Sequence, residues 1–282
     1  MQDSIVTRAW SFVTGGSAQR DAPPTGRPRL TRDEVVAHIS DGGSRDLTGV
    51  DLHSVDLTGV DLRGANLSRS SLQGANLSGV DLSGAVLAET NLCGATLSGA
   101  NLTGADLHDA NCLKTGAGDT PVMLARANLS EANLLGCNLS HADLTEANLT
   151  GTLLREANLG SATLTGAVLD GAILDGTSLR HSHLEGASLR GADLGTADLA
   201  RSICRGADFS NAMLRRANLE QCDLTGAVFN GADLTEANLG GADLRRSEFR
   251  NATLFGADFD DANIEGALLQ EAHRDGAYNL NG

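Results

Sequence analysis

Carboxylates stand at Asp46, Asp51, Asp56 and Asp61, one every five residues, and the same spacing recurs through most of the chain. Paired carboxylates can act as general acid and base or hold a hard cation, so their arrangement decides whether that chemistry is open to them. Here an Asp or Asn precedes a leucine in unit after unit, so acid pairs occur everywhere and single out no site. His181 and His183 flank Ser182. A metal site there would need further ligands, and His141 lies two turns of the repeat away, ~10 Å at strand spacing. Cys93 follows a leucine and is expected to face outward, with no neighbouring base to make it a nucleophile. There is no phosphate-binding loop between a strand and a helix. The sequence therefore predicts no enzyme, with no catalytic residue, no cofactor and no metal.

What positions these residues is a five-residue beat. Fourteen consecutive blocks run from Arg45 to Lys114, and 30 more run from Val122 to Glu271. Each block has an apolar residue at its centre, usually Leu, and a small residue two places earlier, as in Ala232-Asp233-Leu234-Thr235-Glu236. A period of five fits neither a helix nor simple strand alternation. It fits a short strand and a corner, with two residues of five inward and Gly favoured at the corner. Phe209, Phe229 and Phe249 recur every 20 residues, which gives four blocks per coil, 11 coils and a stack of superposed rings. At one strand spacing per coil the rod is ~53 Å long. Such an array is a solenoid whose units are stable only when stacked on one another.

Composition narrows the function classes. The net charge is −15, with 36 acids against 21 Lys and Arg, and the excess lies on the repeats. That balance argues against direct binding to nucleic acid or to an anionic membrane. No run of 18 apolar residues occurs, so no membrane-spanning helix is expected, and the first residues lack the apolar core of a secretory signal. Cys112 and Cys204 replace central leucines, and Cys137 and Cys222 replace small inward residues. Five cysteines without motif spacing suit a reducing compartment, so a cytoplasmic location is expected.

Residues 1–30 read as a flexible leader, with three of the four prolines between Asp21 and Pro28. Residues 31–43 read as a capping helix, opened by a Thr31/Glu34 capping box and closed by Gly42-Gly43. Residues 44–271 form the repeat array, and 272–282 read as a C-terminal tail. Seven residues, 115–121, interrupt the array and must bulge from it, because seven is not a multiple of five. Loops on a rigid scaffold often carry recognition.

Blocks such as Ala65-Asn66-Leu67-Ser68-Arg69 and Ala100-Asn101-Leu102-Thr103-Gly104 resemble the pentapeptide-repeat family, with its consensus A-(D/N)-L-x-x, over about 220 of the 282 residues. The resemblance implies an all-β fold, a right-handed quadrilateral β-helix with four flat faces. Within that family, Qnr-type quinolone-resistance proteins bind type II topoisomerases as acidic, DNA-sized rods, and loop insertions contribute. The resemblance thus implies a non-enzymatic DNA mimic that protects or modulates DNA gyrase or topoisomerase IV, with resistance to a topoisomerase poison as one outcome. The apolar terminal module that pairs two such rods end to end is not evident in 272–282, so a homodimer is not evident from the C-terminus.

Two surfaces are candidates for contact. Asp46, Asp51, Asp56 and Asp61 form a ring, one per face of the first coil, and Thr115, Gly116, Asp119 and Pro121 belong to the bulge. On one face Leu135, Leu153, Ile173, Met213 and Phe255 fall at outward places, with Val168, Val228 and Leu268 on the adjacent face. That strip favours a different class, a protein-interaction scaffold unrelated to topoisomerases, or a ladder of side chains packing on one another. Outward charges in the 30-block segment sum to −2, −3, −2 and −3 on the four faces, so no face is strongly acidic.

Overall fold

The computed structural model describes residues 26–40, 44–112 and 121–280. Each block is one short extended stretch and one corner. In the block centred on Leu62, the chain turns so that Ala65 N donates to Leu62 O at 3.0 Å, with Gly64 in the left-handed region at φ 60°. Gly is favoured at this corner because a side chain there is strained, yet Glu236 adopts the same conformation at φ 58°. The stacked coils impose the turn even where the residue resists it.

Successive coils join by parallel rungs 20 residues apart. Asn66 bridges to Val86 and Val86 to Asp106, with Leu87 N donating to Asp106 O at 2.6 Å and Asp106 N to Ala85 O at 2.9 Å. Four such ladders, one per face, run the length of the array and make 11 full coils. The spacing widens once, where Thr96 pairs with Met123 and Asn111 with Asn138, 27 residues apart. The chain thus resumes the same register after seven added residues.

Central leucines and the small residues before them fill one continuous core. Phe209, Phe229 and Phe249 stack face to face with centroids 4.9 Å apart, and Phe259 meets Phe249 edge-on at 6.4 Å. Cys112, Cys137, Cys204 and Cys222 are buried in it, and burial pushes the Cys137 thiol up to about 12. Cys93 is buried as well, at 2% exposure, and so corrects the expectation that it faces solvent. Ala88 and Ala200 hold equivalent places and are equally covered. With coils only one strand spacing apart, a short side chain after the central residue lies in the shadow of its longer neighbours.

The helix α1, Arg32–Ser40, opens with the capping box: Thr31 N donates to Glu34 Oε2 at 2.7 Å, and Glu34 N to Thr31 Oγ1 at 3.4 Å. Residues 41–43 lie outside the described residues. Parallel stacking leaves the first coil with carbonyls that no earlier coil can meet. On successive faces, Asp46 O contacts His38 Nε2 at 3.0 Å, Asp51 O accepts from Leu30 N at 3.0 Å, Asp56 O from Arg32 Nη1 at 3.1 Å, and Asp61 O from Arg45 Nη1 at 3.2 Å. All four faces are thereby closed.

Two boundaries need correction. The leader expected over 1–30 ends earlier, because Pro28–Leu30 pairs with Asp51 and Leu30 is buried. An open sheet edge and an apolar side chain together draw this segment in. The tail expected at 272–282 instead extends two ladders, through Thr253↔His273 and Asp258↔Tyr278. Ala272 and Ala277 keep the small inward place and Gly276 the corner, so the backbone continues although Arg274 and Asn279 replace the central leucine.

Candidate binding surfaces

The four acids of the first coil sit at equivalent places, one on each face. Each has local work: the carboxylates of Asp46, Asp51, Asp56 and Asp61 accept from the backbone N–H of Thr48, His53, Thr58 and Arg63, at 2.9 to 3.1 Å. Asn does the same elsewhere, as where Asn66 Oδ1 accepts from Ser68 N at 3.1 Å. The repeat's Asp/Asn preference therefore follows from turn geometry. Asp61 also pairs with Arg63 at 2.8 Å and Arg45 at 3.2 Å. The Arg63 side chain, then its backbone N–H and Arg45, hold the Asp61 carboxyl well below the usual carboxylate range. Its charge is largely balanced, unlike that of its three counterparts in the ring.

Of the insertion, Thr115, Gly116 and Asp119 lie outside the described residues, and Pro121 is the first described residue beyond it, half-buried. The apolar strip divides. Leu135, Leu153, Met213 and Phe255 are 44, 42, 46 and 55% exposed, whereas Ile173 is half-buried between Leu153 and Asp193 on the adjacent rungs. Val168 is exposed on the neighbouring face, and Val228 and Leu268 are half-buried. Among the described residues each face carries three or four more acids than arginines, so the excess wraps the rod evenly.

Among the described residues no constellation for chemistry emerges. His183 contacts Glu185 at 3.6 Å, and no group of three or more His, Cys, Asp or Glu could hold a metal among the described residues. A cleft of about 460 Å³ at Ser98, Gly99, Ala125, Arg126, Asp143 and Thr145 is wide open, and its Arg126 is committed to Glu146 at 2.8 Å. What sequence reasoning missed is the closure of the first coil. Its contacts span 8 to 24 residues and follow no period, so only the basic character of His38, Arg32 and Arg45 hinted at carbonyl partners.

Four parallel ladders around a continuous apolar core, with flat outer faces, define a β-solenoid scaffold. The chain belongs to the pentapeptide-repeat family, whose model, pentapeptide repeats, matches residues 46–84, 75–115, 124–160, 157–195, 192–231 and 232–270. Among solved structures it is similar to HetL, a pentapeptide-repeat protein involved in heterocyst differentiation regulation from the cyanobacterium Nostoc sp. strain PCC 7120. The two are 33% identical over 88% of this chain and 96% of that one, with a TM-score of 0.28. It is also similar to full-length QnrB1, a plasmid-mediated fluoroquinolone resistance protein, with 18% identity over 64% of this chain and 90% of that one and a TM-score of 0.36. A pentapeptide-repeat protein from the Arabidopsis thaliana thylakoid lumen is 31% identical over 38% of this chain and 68% of that one, with a TM-score of 0.16. No match is found among curated proteins. Among the described residues, no helix is long and apolar enough to cross a membrane.

Proposed function

We propose that this chain is a non-enzymatic, DNA-mimicking rod that binds a type II topoisomerase, DNA gyrase or topoisomerase IV, and protects or modulates it. The carrying observation is the even acidic excess on all four faces. A basic groove that wraps the rod meets negative potential from every side, as it would around duplex DNA. The match is partial in magnitude: DNA of ~53 Å carries about 31 charges at one per ~1.7 Å, roughly twice the rod's net charge. The partner class is the one implied by the resemblance to Qnr-type proteins. In this reading Asp46, Asp51 and Asp56 steer the encounter, Asp61 contributes less because Arg45 and Arg63 balance it, and the 115–121 insertion adds contacts that DNA lacks.

The test is gyrase supercoiling with and without the protein and a fluoroquinolone, at two salt concentrations. The triple change Asp46→Asn, Asp51→Asn, Asp56→Asn keeps the turn bonds, since Asn accepts them elsewhere. It should slow association by roughly 10-fold and flatten its salt dependence, because rim charges govern the on-rate. Deleting 115–121 restores the 20-residue spacing and should weaken protection. Supercoiling and poison sensitivity that ignore the unmodified protein at both salt concentrations would sink the proposal. Capture of a different partner, insensitive to salt, would support the scaffold reading instead.

A further inference from the structure

The first face is patterned in a way that matches itself. Its ladder places Asn133, Leu153, Ile173 and Asp193 on adjacent rungs of coils 5 to 8. Two residues further along the same coils stand Leu135, Arg155, Asp175 and Gly195, with Gly136 N donating to Arg155 O and Gly176 N to Gly195 O, each at 3.0 Å. Two parallel columns of outward side chains thus cross the face, beside the corner residues Gly136, Glu156, Gly176 and Thr196. Reading one column against its own reverse aligns Leu153 with Ile173. The other column aligns Arg155 with Asp175 and Leu135 with Gly195.

The first two of these pairings are chemically favourable. Leu153 is 42% exposed and Ile173 half-buried, so meeting across an interface removes apolar surface from water. Arg155 is exposed and makes no ion pair among the described residues, whereas many arginines of the later coils do, Arg180, Arg190, Arg205 and Arg215 among them. Asp175 accepts only from Thr196 Oγ1, at 3.0 Å, among the described side chains, which leaves its second oxygen for a partner. At Gly195 there is no room for a side chain, since a Cβ there would stand 3.2 Å from both Asp175 Oδ1 and Asp193 Oδ1, and Leu135, 44% exposed, would lie over bare backbone.

We propose that two copies of this chain associate side by side and antiparallel through this face, about a two-fold axis lying between coils 6 and 7. A two-fold contact requires a patch complementary to itself, with each unlike pair made twice. Leu153 meets Ile173 of the second copy, Arg155 meets its Asp175, and Leu135 lies over its Gly195. The occupant is a second copy and not an unrelated protein, because the unpaired cation and the available anion, with the two apolar side chains beside them, stand at mirror-related heights on one surface. The contact spans about four coils, ~19 Å, so a weak dimer is expected. The other three faces stay open, and the proposal stands or falls independently of any topoisomerase.

Sedimentation of the full chain over a range of concentrations tests it. The wild-type chain should sediment as a monomer–dimer equilibrium. Arg155→Asp or Asp175→Arg alone should each raise the dimer dissociation constant about 100-fold, because like charges then face each other twice. The double variant R155D/D175R should restore dimerisation, since it recreates both pairs with the signs exchanged. Circular dichroism and thermal melting would show that each variant remains folded. A wild-type chain that stays monomeric at all concentrations would overturn the proposal. So would single variants that dimerise as well as the wild type, which would place association on another surface.

Discussion

The early and late coils of the rod share one backbone plan but fasten their neighbours differently. In coils 2 to 5 the outward side chains are mainly amides and hydroxyls, with inter-coil arginine pairs at Arg69–Glu89 and Arg126–Glu146. Asn101 Nδ2 donates to Asp81 Oδ1 at 3.0 Å, Asn128 Nδ2 to Thr103 Oγ1 at 2.8 Å, and Asn148 Nδ2 to Asn128 Oδ1 at 3.1 Å. From coil 7 onward arginines reach diagonally to an Asp on the next coil, as in Arg180–Asp198, Arg205–Asp223 and Arg215–Asp233. The late coils also carry the Phe stack. Backbone rungs fix the coil, and the side-chain connection between coils is a separate choice. Asn serves both needs at once, because its oxygen closes its own turn while its amide reaches the coil before. Asp lacks the amide donor, so a coil joined through Asp takes its donor from a neighbouring coil, the Asn101 amide at Asp81 or the Arg205 guanidinium at Asp223.

That contrast can be broken most sharply in the core. Phe229→Ala removes the middle ring of the stack and should cost about 3–5 kcal/mol, read by thermal or denaturant unfolding. Leu102→Ala, on the same face in the early coils, should cost less, since it leaves a smaller cavity; equal losses would mean that the stack adds nothing beyond volume. A smaller effect is expected from Asn148→Asp, which loses the amide donor to Asn128 and sets a carboxylate against its oxygen. It should cost about 1–2 kcal/mol, whereas Asp223→Asn in the late coils should cost less, because Asn still closes the turn.

The smallest effects separate the two fastenings by solvent conditions. Raising NaCl from 0.1 to 1 M shortens the Debye length from ~10 to ~3 Å, so amide exchange should quicken more around coils 7 to 10 than in coils 2 to 5, where amide bonds supplement the Arg69–Glu89 and Arg126–Glu146 pairs. Uniform quickening along the rod would erase the distinction. Acid gives a second reading. Arg245 holds the Asp243 carboxyl below its usual range, as Arg63 does for Asp61. A lowered folded pKa means stability that is present above the unfolded value of about 3.8 and lost as pH falls through the folded value. Loosening near both residues is therefore expected only below about pH 4. His108 runs the other way: its hydrogen bond to Asp106 raises its pKa. The associated stability is complete below pH 6.5 and fades as pH rises through the folded value.

The backbone plan was readable from the chain because it is periodic. The Leu beat set the inward register, and the 20-residue recurrence of Phe209, Phe229 and Phe249 set the coil. Thr31 and Glu34 marked the start of α1 because the capping box is local. Cys93 was misread because its burial depends on the height of neighbouring side chains, which position within a block does not encode. His273 and Tyr278 are not legible as rungs because their blocks lack the central Leu, whereas the rungs require only backbone and a small inward residue. The candidate surfaces were legible in placement and less so in state. The ring of acids stands where spacing put it, but the balancing of Asp61 by Arg45 depends on contact across 16 residues.

Closure of the first coil by His38, Leu30, Arg32 and Arg45 also sets an order of events during synthesis. His38, Leu30 and Arg32 precede the first full coil in the chain and Arg45 opens it, so all four have left the ribosome before that coil is complete. The coil can close against them at once, and every later coil then meets a finished edge. A chain made from its N-terminus at about 5–20 residues per second lays down one coil every one to four seconds. Growth of this kind never waits for a distant segment, and at any moment only the newest edge is open to a wrong partner.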